Sequence, residues 1–453
     1  MSSNRTRRDC AYVWVWLPGA VEPVVAGVVR GLRDGRLVFG YGESYLARPD
    51  ALSIYTPELP LARGDIDPLP GMILAGCLRD GTPDAWGRRV IEDRLGTEDL
   101  TEIDYMLESG SNRFGALDFQ ESPTEYLARE DTSTLDELHE AAQRLQSGAP
   151  LSAAAEAALV RGTSIGGARP KVLVRDGDGV EWIAKLSSAS DRVFSVVNAE
   201  ATALELARRV GIEVPDFEVT ESLGRDVLLV KRFDRHGEGR RRFVVSGLTM
   251  LGLDEMAGRY ATYPELLHAL ERHGPATRPG PILFDRIAFN MAMSNFDDHA
   301  RNHAAFWDGH ESLTLTPAYD LAPSHRSGET AFQAMSFGPG GERESRFEAL
   351  IGVSGVYGLD RLQARERVDH IVETIQQDWA EAADIGHLST KDRSLLFGRQ
   401  FLNPATVLLG DGPFGYSASS ASKTPGPARG KTTPASNRGS FKARERPEGD
   451  LRL

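Results

Sequence analysis

The chain has 453 residues, of which 41% are hydrophobic and 26% charged, as in an ordinary globular protein of several domains. Its net charge of −13 argues against nucleic-acid binding by the whole surface and suits a basic partner. Because Cys10 and Cys77 are too few for a disulfide framework and no apolar run approaches the roughly 18 residues of a membrane span, we expect a cytoplasmic protein without membrane contact.

Strand signals come first along the chain, and helix signals follow them. Apolar residues alternate along three stretches that we predict as strands of a small antiparallel sheet, residues 13–17, 24–28 and 36–41. Residues 81–94 are typical of a turn followed by a helix that Asp84 could cap, and residues 102–109 predict a second helix. Residues 123–160 are rich in Ala and Glu and have helical periodicity, so we expect them to be helical.

A hairpin signal opens the next segment. Residues 171–174 and 181–186 are apolar stretches on either side of the turn-rich residues 176–179, which predicts two antiparallel strands. A helix over residues 198–210 and an apolar strand over residues 226–233 follow. This order of strand, turn, strand, helix and strand places Lys185 at the end of a strand and Glu200 in the helix that follows it.

The rest of the chain is helical and then changes composition. Residues from 281 onward favour helices, and residues 359–383 predict a long amphipathic one. From about residue 417 Ser, Pro, Gly, Lys and Arg dominate, and such a segment cannot bury enough apolar surface to order itself. Residues 421–453 hold eight Lys/Arg and three Asp/Glu, a net of 8 − 3 = +5, which leaves −13 − 5 = −18 on the rest. We predict a disordered basic tail that acts as a solubilising extension rather than a docking segment.

The stretch with the strongest chemical signal is residues 294–303. Asp297 and Asn302 stand five positions apart, the spacing at which a protein-kinase catalytic loop places the Asp that receives the substrate hydroxyl proton and the Asn that binds magnesium. A further acid, Asp320, would then hold the metal ion that bridges the phosphates.

The same stretch also allows a metal-hydrolase site. His299 and His303 are four residues apart, so on a helix they would share a face close to Asp297. The flanking glutamate of a zincin motif is absent from this stretch, and a hydrolase would leave the upstream charged residues unexplained. We therefore favour phosphoryl transfer, with His299 as a support for the catalytic loop.

Three upstream features supply the nucleotide-binding parts that phosphoryl transfer requires. Residues 162–171 form a glycine-rich loop whose N–H groups could approach phosphates, although a simple tight turn is the alternative. Lys185 ends a strand and could reach the α- and β-phosphates, and Glu200 in the next helix could pair with it. The apolar strand that ends in residues 230–233 could bind adenine, and a core strand with a solvated end is the alternative. The candidate ATP-binding residues are Ser164, Gly166, Gly167, Ala168, Lys171, Lys185, Glu200, Val230, Lys231, Arg232, Phe233 and His299.

Taken together, these motifs resemble those of the HipA family, the serine/threonine kinase toxins of bacterial type II toxin–antitoxin systems. The resemblance spans about residues 12–400. In the N-terminal part it rests on residues 39–46 (FGYGESYL), 51–60 (ALSIYTPELP), 80–89 (DGTPDAWGRR) and 110–117 (GSNRFGAL). In the kinase part it rests on residues 164–171 (SIGGARPK), 182–185 (WIAK), 230–235 (VKRFDR), 297–302 (DDHARN) and 317–321 (PAYDL).

The resemblance implies a role for each matching residue. Asp297 would be the catalytic Asp, Asn302 and Asp320 the magnesium ligands, and Lys185 the ATP lysine. Ser164 falls where members of this family phosphorylate themselves, and a phosphate there would add about −2 charge beside the site. The sequence departs from the family pattern at Asp298, where Gly is frequent, and at Lys231, where an acidic residue can occur.

The resemblance also implies fold, substrate and partners. We expect an α/β (α+β), two-lobed, protein-kinase-like fold that uses ATP and Mg²⁺. The substrate would be a translation component such as an aminoacyl-tRNA synthetase, and a small DNA-binding antitoxin would link the chain to DNA indirectly. The expected parts are a β-rich N-terminal subdomain (1–120), a helical connection (121–160), a nucleotide-binding part (161–280), a mainly helical catalytic lobe (281–415) and the disordered tail (416–453). A small-molecule phosphotransferase and a pseudokinase binding module are the alternatives.

Overall fold

The computed structural model describes residues 8–129, 133–152, 155–156, 158–159, 170–187, 191, 193–273, 278–326, 328 and 330–407. Within it, residues 1–410 form one compact unit. Residues 411–453 form a separate unit that lies outside the described residues, so the predicted disorder of the tail remains a prediction. Residues 162–169 of the predicted glycine-rich loop also lie outside them.

The N-terminal part is built on a five-stranded antiparallel sheet, as the alternating apolar residues predict. Its spatial order is β4-β3-β2-β1-β5. The strands are β1 (Cys10–Val15), β2 (Val24–Gly31), β3 (Leu37–Tyr41), β4 (Asp65–Ile66) and β5 (Leu117–Gln120). Four helices accompany the sheet: α1 (Glu43–Leu46), α2 (Gly76–Arg79), α3 (Ala85–Leu95) and α4 (Glu102–Glu108). Asp84 caps α3 by accepting a hydrogen bond from Gly87 N–H at 2.8 Å, which confirms the predicted cap.

The segment after β5 corrects one expectation. Residues 121–129 are irregular where helical periodicity predicted a helix, and the regular helix here is α5 (Leu135–Gln146). Side-chain bonds tie the irregular segment to the sheet, because Trp14 Nε1 donates to Ser122 O at 3.0 Å and Arg129 donates to Phe119 O at 2.6 Å. These bonds hold the segment against the sheet in an irregular form.

A second, four-stranded antiparallel sheet follows, in the order β6-β7-β9-β8. Its strands are β6 (Lys171–Arg175), β7 (Glu181–Leu186), β8 (Phe217–Ser222) and β9 (Arg225–Lys231), which confirms the predicted hairpin and the later apolar strand. Helix α6 (Val196–Arg209) packs against β8 and β9. Apolar side chains of α3 and α5 share a core with β6, β7 and β9, so the N-terminal helices pack directly onto this sheet.

The remaining part is mainly helical. It contains the short pair β10 (Arg235–His236) and β11 (Arg240–Arg241) and a three-stranded sheet of β12 (Val244–Ser246), β13 (Ala304–Trp307) and β14 (Leu313–Leu315). Its helices are α7 (Gly247–Met250), α8 (Tyr263–Arg272), α9 (Pro279–Ala292), α10 (Phe347–Gly352), α11 (Arg361–Ile385), α12 (Thr390–Leu396) and α13 (Pro404–Val407). The long helix α11 packs against both α6 and α9 and thereby joins the second sheet to the helical part.

One hydrophobic core runs from the N-terminal sheet into the helices. Val13 and Phe39 of the first sheet belong to the same buried cluster as Leu228 of the second sheet and Phe284 of α9. Such a shared core favours one cooperative unit rather than loosely tethered domains. No helix in the described ranges has the length and apolar character that spanning a membrane requires.

Candidate active site

The loop that follows α9 carries Asp297 and Asn302. Ser294, at a φ of +54°, turns the chain out of the helix, and Asn295 N–H donates to Asn290 O at 2.8 Å. Asp297 is exposed, whereas Asn302 is buried and donates through Nδ2 to the main-chain carbonyl of Asp297 at 3.1 Å. This bond closes the loop and holds the two predicted site residues beside each other.

Asp298 anchors this loop to the neighbouring helices. Its carboxylate is buried, and it accepts hydrogen bonds from the Tyr263 hydroxyl and from Asn290 Nδ2, the latter at 2.7 Å. His303 Nε2 lies 3.1 Å from Oδ1, close enough for an ionic contact though poorly aligned for a hydrogen bond. The residue that departs from the family pattern therefore binds the loop to helices α8 and α9.

Three charged side chains, those of Lys185, Glu200 and Asp320, meet beside strand β7 of the second sheet. Lys185 in β7 places Nζ 2.5 Å from Glu200 Oε1 in α6 and 2.7 Å from Asp320 Oδ1. The side chain of Glu200 is 5% exposed, whereas that of Asp320 is 42% exposed. The structure thus brings together the lysine, the helix glutamate and the downstream acid, and it leaves one side of Asp320 open.

The electrostatics of this trio favour the charged forms of Lys185 and Asp320, whereas burial raises the pKa of Glu200. Lys185 holds the pKa of Asp320 well below its usual range and outweighs the opposing effect of burial. Burial acts to lower the pKa of Lys185, yet Asp320 and Glu200 outweigh it and raise this pKa above its usual value. Asp320 is therefore ionised at neutral pH and can act as an anionic ligand.

Lys171 belongs to the same charged cluster. It pairs directly across the sheet with Lys185, and directly opposite residues of antiparallel strands point to the same face. Its side chain is buried, and Asp84, Asp320 and Glu200 all counteract the lowering of its pKa by burial.

Four of the predicted ATP-binding residues, Ser164, Gly166, Gly167 and Ala168, lie outside the described residues.

The predicted adenine-binding segment is only partly available to a ligand. Val230 lies inside β9 between β7 and β8. The N–H groups of Lys231 and Arg232 already donate to Asp216 O at 2.8 Å and Glu181 O at 3.0 Å. A base could therefore bond only to other main-chain groups of this segment.

Two side chains of this segment face different surroundings. The guanidinium of Arg232 is buried and bonds to Asn112 Oδ1 at 2.7 Å, so it does not line a cleft. Phe233 is half-buried, and its ring centroid lies 6.0 Å from Phe114 and 5.6 Å from Tyr319. Because Tyr319 precedes Asp320, the aromatic cluster adjoins the charged trio.

The histidines do not form the hydrolase arrangement. His299 and His303 flank a single 3-10 turn in extended conformations, so they do not share a helix face, and the premise of that alternative is wrong. His303 is buried against Tyr263, whereas His299 is exposed and close enough to Asp320 to help lower the pKa of that carboxyl. Among the described residues no group of three or more His, Cys, Asp or Glu side chains could hold a metal ion.

The donor set at the site nevertheless fits a hard cation. Magnesium prefers oxygen ligands and is bound in kinases by few protein groups plus the phosphates. Asp320 offers an ionised carboxylate. The amide nitrogen of Asn302 donates a hydrogen bond to the Asp297 carbonyl, so its amide oxygen is the atom that could bind the ion. These two residues would hold the ion.

Several site residues were missed by reasoning from the sequence. Tyr263 and Asn290, which hold Asp298, carry no local signal because they lie 35 and 8 positions away from it. Asn112, which binds Arg232, stands in the recognised residues 110–117, yet its partner is 120 positions away. Asp84 was identified only as a helix cap, although it also approaches Lys171.

Comparisons with known proteins identify the family to which this fold belongs. The family model for the HipA N-terminal domain matches residues 15–120, and the model for the HipA-like C-terminal domain matches residues 163–379. Y4dM of Sinorhizobium fredii, which is named as a kinase, is 24% identical over 329 residues, 66% of this chain and 74% of that protein. Y4mE of the same organism, also named as a kinase, is 25% identical over 337 residues, 68% of this chain and 76% of that protein.

A solved structure supports the same assignment at the level of the fold. HipA of Shewanella oneidensis, determined in a toxin–antitoxin complex with HipB and operator DNA, aligns with a TM-score of 0.63 at 18% identity. The alignment covers 87% of this chain and 99% of that one.

The class that fold and site define is a kinase with a mixed α/β, protein-kinase-like architecture. The chain carries both the N-terminal and the C-terminal domain of the HipA family, and it belongs to that family. Membership of a kinase family implies that it uses ATP. The predicted fold class is thereby confirmed.

Proposed function

We propose that this chain transfers the γ-phosphoryl group of ATP to a serine or threonine hydroxyl of a protein, as the toxin of a toxin–antitoxin module. The observation that carries the proposal is the contact of Lys185 with both Glu200 and Asp320, beside a loop that holds Asp297 and Asn302. A kinase needs a lysine fixed by a helix glutamate, a metal-binding acid, and an Asp and an Asn five apart. All of these groups are present in one chain.

In the proposed reaction Asp297 acts on the acceptor hydroxyl. Its exposed carboxylate orients the hydroxyl oxygen in line with the γ-phosphorus and accepts the proton as the new P–O bond forms and the bond to the ADP oxygen breaks. Asp298 and Asn302 fix the loop, so Asp297 has little freedom to lose when substrate binds. Lys185 and Lys171 offset the negative charge of the phosphates.

Magnesium would be held by Asp320 and Asn302. When bound, the ion would neutralise charge that develops on the phosphate oxygens. Lys185 restrains Asp320 through Oδ1, and the open side of this carboxylate suits a second contact. His299 lies near enough to Asp320 to help lower the pKa of that carboxyl, and it is not a magnesium ligand in this proposal.

The proposed partners follow from the family and from the charge of the chain. The Shewanella relative is bound to HipB and operator DNA, so we propose a small DNA-binding antitoxin that connects this chain to DNA indirectly. A charge of −18 outside residues 421–453 suits a basic protein better than DNA itself. As substrate we propose a translation component such as an aminoacyl-tRNA synthetase, which rests on the family resemblance.

A transfer assay with γ-labelled ATP and Mg²⁺ tests the proposal. Label should appear on lysate proteins with the wild-type chain, and Asp297→Ala should reduce transfer by at least about 10²-fold because the proton acceptor is lost. Glu366→Ala, which removes an exposed acid near the N-terminal end of α11, is the matched control and should transfer at the wild-type rate. Near-wild-type transfer by Asp297→Ala would show that the assigned base is wrong.

The same assay separates the alternatives. Label on small molecules alone would favour a small-molecule phosphotransferase, and nucleotide binding without any transfer would favour a pseudokinase. Autophosphorylation at Ser164 is part of the proposal although this residue lies outside the described ones. A mass spectrum of the incubated chain should place a phosphate on Ser164, and a phosphate found only elsewhere would refute that assignment.

A further inference from the structure

One acidic residue of the N-terminal part approaches the nucleotide site without a role in the proposed reaction. Asp84 caps α3 with one oxygen, Oδ1, at 2.8 Å from Gly87 N–H. Its other oxygen, Oδ2, is buried and accepts no hydrogen bond within the described residues. Lys171 Nζ lies 4.0 Å from Oδ2, and the side chains of Asp84 and Lys171 are 3% and 8% exposed.

The capping role alone does not account for a carboxylate at this position. Asn and Ser cap helices about as well as Asp, because a cap needs one acceptor oxygen and no charge. A buried carboxylate is costly unless a cation or a hydrogen bond compensates for it. Burial raises the pKa of Asp84 to about 6, and Lys171 is the strongest influence that opposes this rise. The charge of Asp84 is therefore best explained by Lys171.

Lys171 in turn belongs to the phosphate side of the site. It lies directly opposite Lys185 in the β6–β7 pair, so both ammonium groups stand on one face of the sheet. Asp320 and Glu200 act on its charge as well as on that of Lys185. A lysine has a long flexible stem, and a fixed carboxylate beside it would reduce the entropy lost when it binds an anion.

We propose that Asp84 is a positioning residue of the nucleotide site, through which the N-terminal part holds Lys171 ready for the phosphates of ATP. This inference rests on the proposed function, because it assumes that ATP binds at the Lys185–Asp320 cluster. It adds to that proposal that the N-terminal part completes the phosphate-binding site. It also gives Asp84, which stands within the recognised residues 80–89, a role at the site.

Three further contacts of the same turn agree with this role. Asp80 accepts hydrogen bonds from Ser246 N–H and Oγ, both at 2.7 Å, at the start of α7. Arg79 Nε lies 3.8 Å from Glu255, and Glu255 also pairs with Arg301 of the catalytic loop. Residues 79–84 therefore contact Glu255, which pairs with Arg301 of the catalytic loop, and Lys171 of the nucleotide site.

Binding of a non-hydrolysable ATP analogue with Mg²⁺, measured by calorimetry on the full chain, tests the inference. Asp84→Asn keeps the capping oxygen and removes the charge, so we expect its Kd to rise about tenfold, as for the loss of one charged contact. Lys171→Met should weaken binding similarly. Because Asp84 acts through Lys171, the double variant should bind within about twofold of Lys171→Met alone.

The kinetic readout should separate positioning from a loss of structure. In the transfer assay Asp84→Asn should raise the KM for ATP about tenfold while kcat changes by less than about threefold, because the proton acceptor and metal ligands remain. Asp360→Asn is the matched control, since Asp360 caps α11 with Oδ1 at 2.8 Å from Gln363 N–H and is exposed. It should bind the analogue as the wild type does.

The outcomes separate this inference from the function on which it rests. Wild-type affinity in Asp84→Asn, or a double variant that is weaker by the product of the two single effects, would overturn the inference alone. A wild-type chain that binds no analogue would overturn the proposed function and the inference with it. Should Asp84→Asn unfold below the assay temperature, Asp84→Ser, which also caps the helix, replaces it in the same cycle.

Discussion

Two adjacent carboxylates, Asp297 and Asp298, have opposite environments. Asp297 is exposed and belongs to the open side of the loop, whereas Asp298 is 3% exposed and is bonded to Tyr263 and Asn290. Asp297 is accessible to a substrate, whereas Asp298 is used in hydrogen bonds within the protein. Their contributions to activity and to stability should therefore separate.

Paired substitutions test this separation. Asp298→Ala leaves buried donors on Tyr263 and Asn290 unpaired, so we expect the free energy of unfolding to fall by about 3 kcal/mol. Asp297→Ala removes an exposed side chain and should change that free energy by less than about 0.5 kcal/mol while it abolishes transfer. Urea unfolding and the labelled-ATP assay on both variants provide the measurement. Equal losses of stability in the two variants would contradict the division of roles.

The sequence predicted one of these residues much better than the other. The spacing of Asp297 and Asn302 is local, so a short motif is sufficient to identify them as candidates. Asp298 could not be interpreted in the same way, because its partners come from α8 and α9 and are brought together only by packing. The same reason kept Asp84 and Asn112 out of the predicted site.

At the scale of elements, the sequence predicted most strands and helices near the site. The β6–β7 hairpin, α6, β9 and α11 all follow from apolar periodicity and turn residues. Strands β13 and β14 were missed within a stretch predicted to be helical. The irregular segment 121–129 was missed too, since its composition favours a helix but its bonds to β5 and Trp14 hold it in another form. Periodicity describes a segment alone and cannot include such tertiary bonds.

Helix α6 matters for function because it carries Glu200, and its position depends on the end of α11. At Gly386 an added Cβ would lie 2.8 Å from both Asn198 O and Thr202 N, which are main-chain atoms of α6. Main-chain atoms cannot rotate away as a long side chain can. A side chain at Gly386 must therefore push α11 away from α6.

Gly386→Ala should consequently lower the free energy of unfolding by about 2 kcal/mol through overpacking. It should also lower kcat/KM, since a displaced α6 loosens the contact of Glu200 with Lys185. Gly352→Ala is the matched control, because Gly352 is the exposed last residue of α10 and a Cβ there meets nothing within 4 Å. That control should be neutral or more stable by up to about 1 kcal/mol, and a comparable loss in it would refute the packing explanation.

At the scale of the whole molecule, a buried charge network joins the N-terminal part to the strand-end segment after β9. Asp234 accepts hydrogen bonds from Gly115 N–H at 2.8 Å, Arg232 Nη2 at 2.6 Å and Arg235 Nη1 at 2.9 Å. Arg235 Nη2 also donates to Asn112 Oδ1 at 2.9 Å. Because the shared hydrophobic core runs between the same parts, we expect them to unfold together rather than as separate domains.

The pH dependence of this network has a definite sign. Burial acts to raise the pKa of Asp234, but Arg232 and Arg235 outweigh it and hold this pKa well below its usual range. An acid whose pKa is lower in the folded state stabilises the fold at pH values above its unfolded pKa, which is about 3.9. Its contribution is lost progressively as the pH falls below that value.

Asp234→Ala should therefore lower the free energy of unfolding by about 3 kcal/mol at pH 7, because two buried guanidinium groups lose the carboxylate that they share and keep only Glu181, at 3.2 Å from Arg235 and 3.9 Å from Arg232. The difference from the wild type should shrink as the pH falls below about 4, because the unfolded chain then binds a proton at Asp234 that the folded chain does not. Urea unfolding followed by tryptophan fluorescence and circular dichroism gives both quantities, and coincident transitions would support one cooperative unit. Asp178→Ala, in the exposed turn between β6 and β7, should change neither quantity. Two separate transitions in the wild type, or a difference that grows in acid, would contradict the coupling.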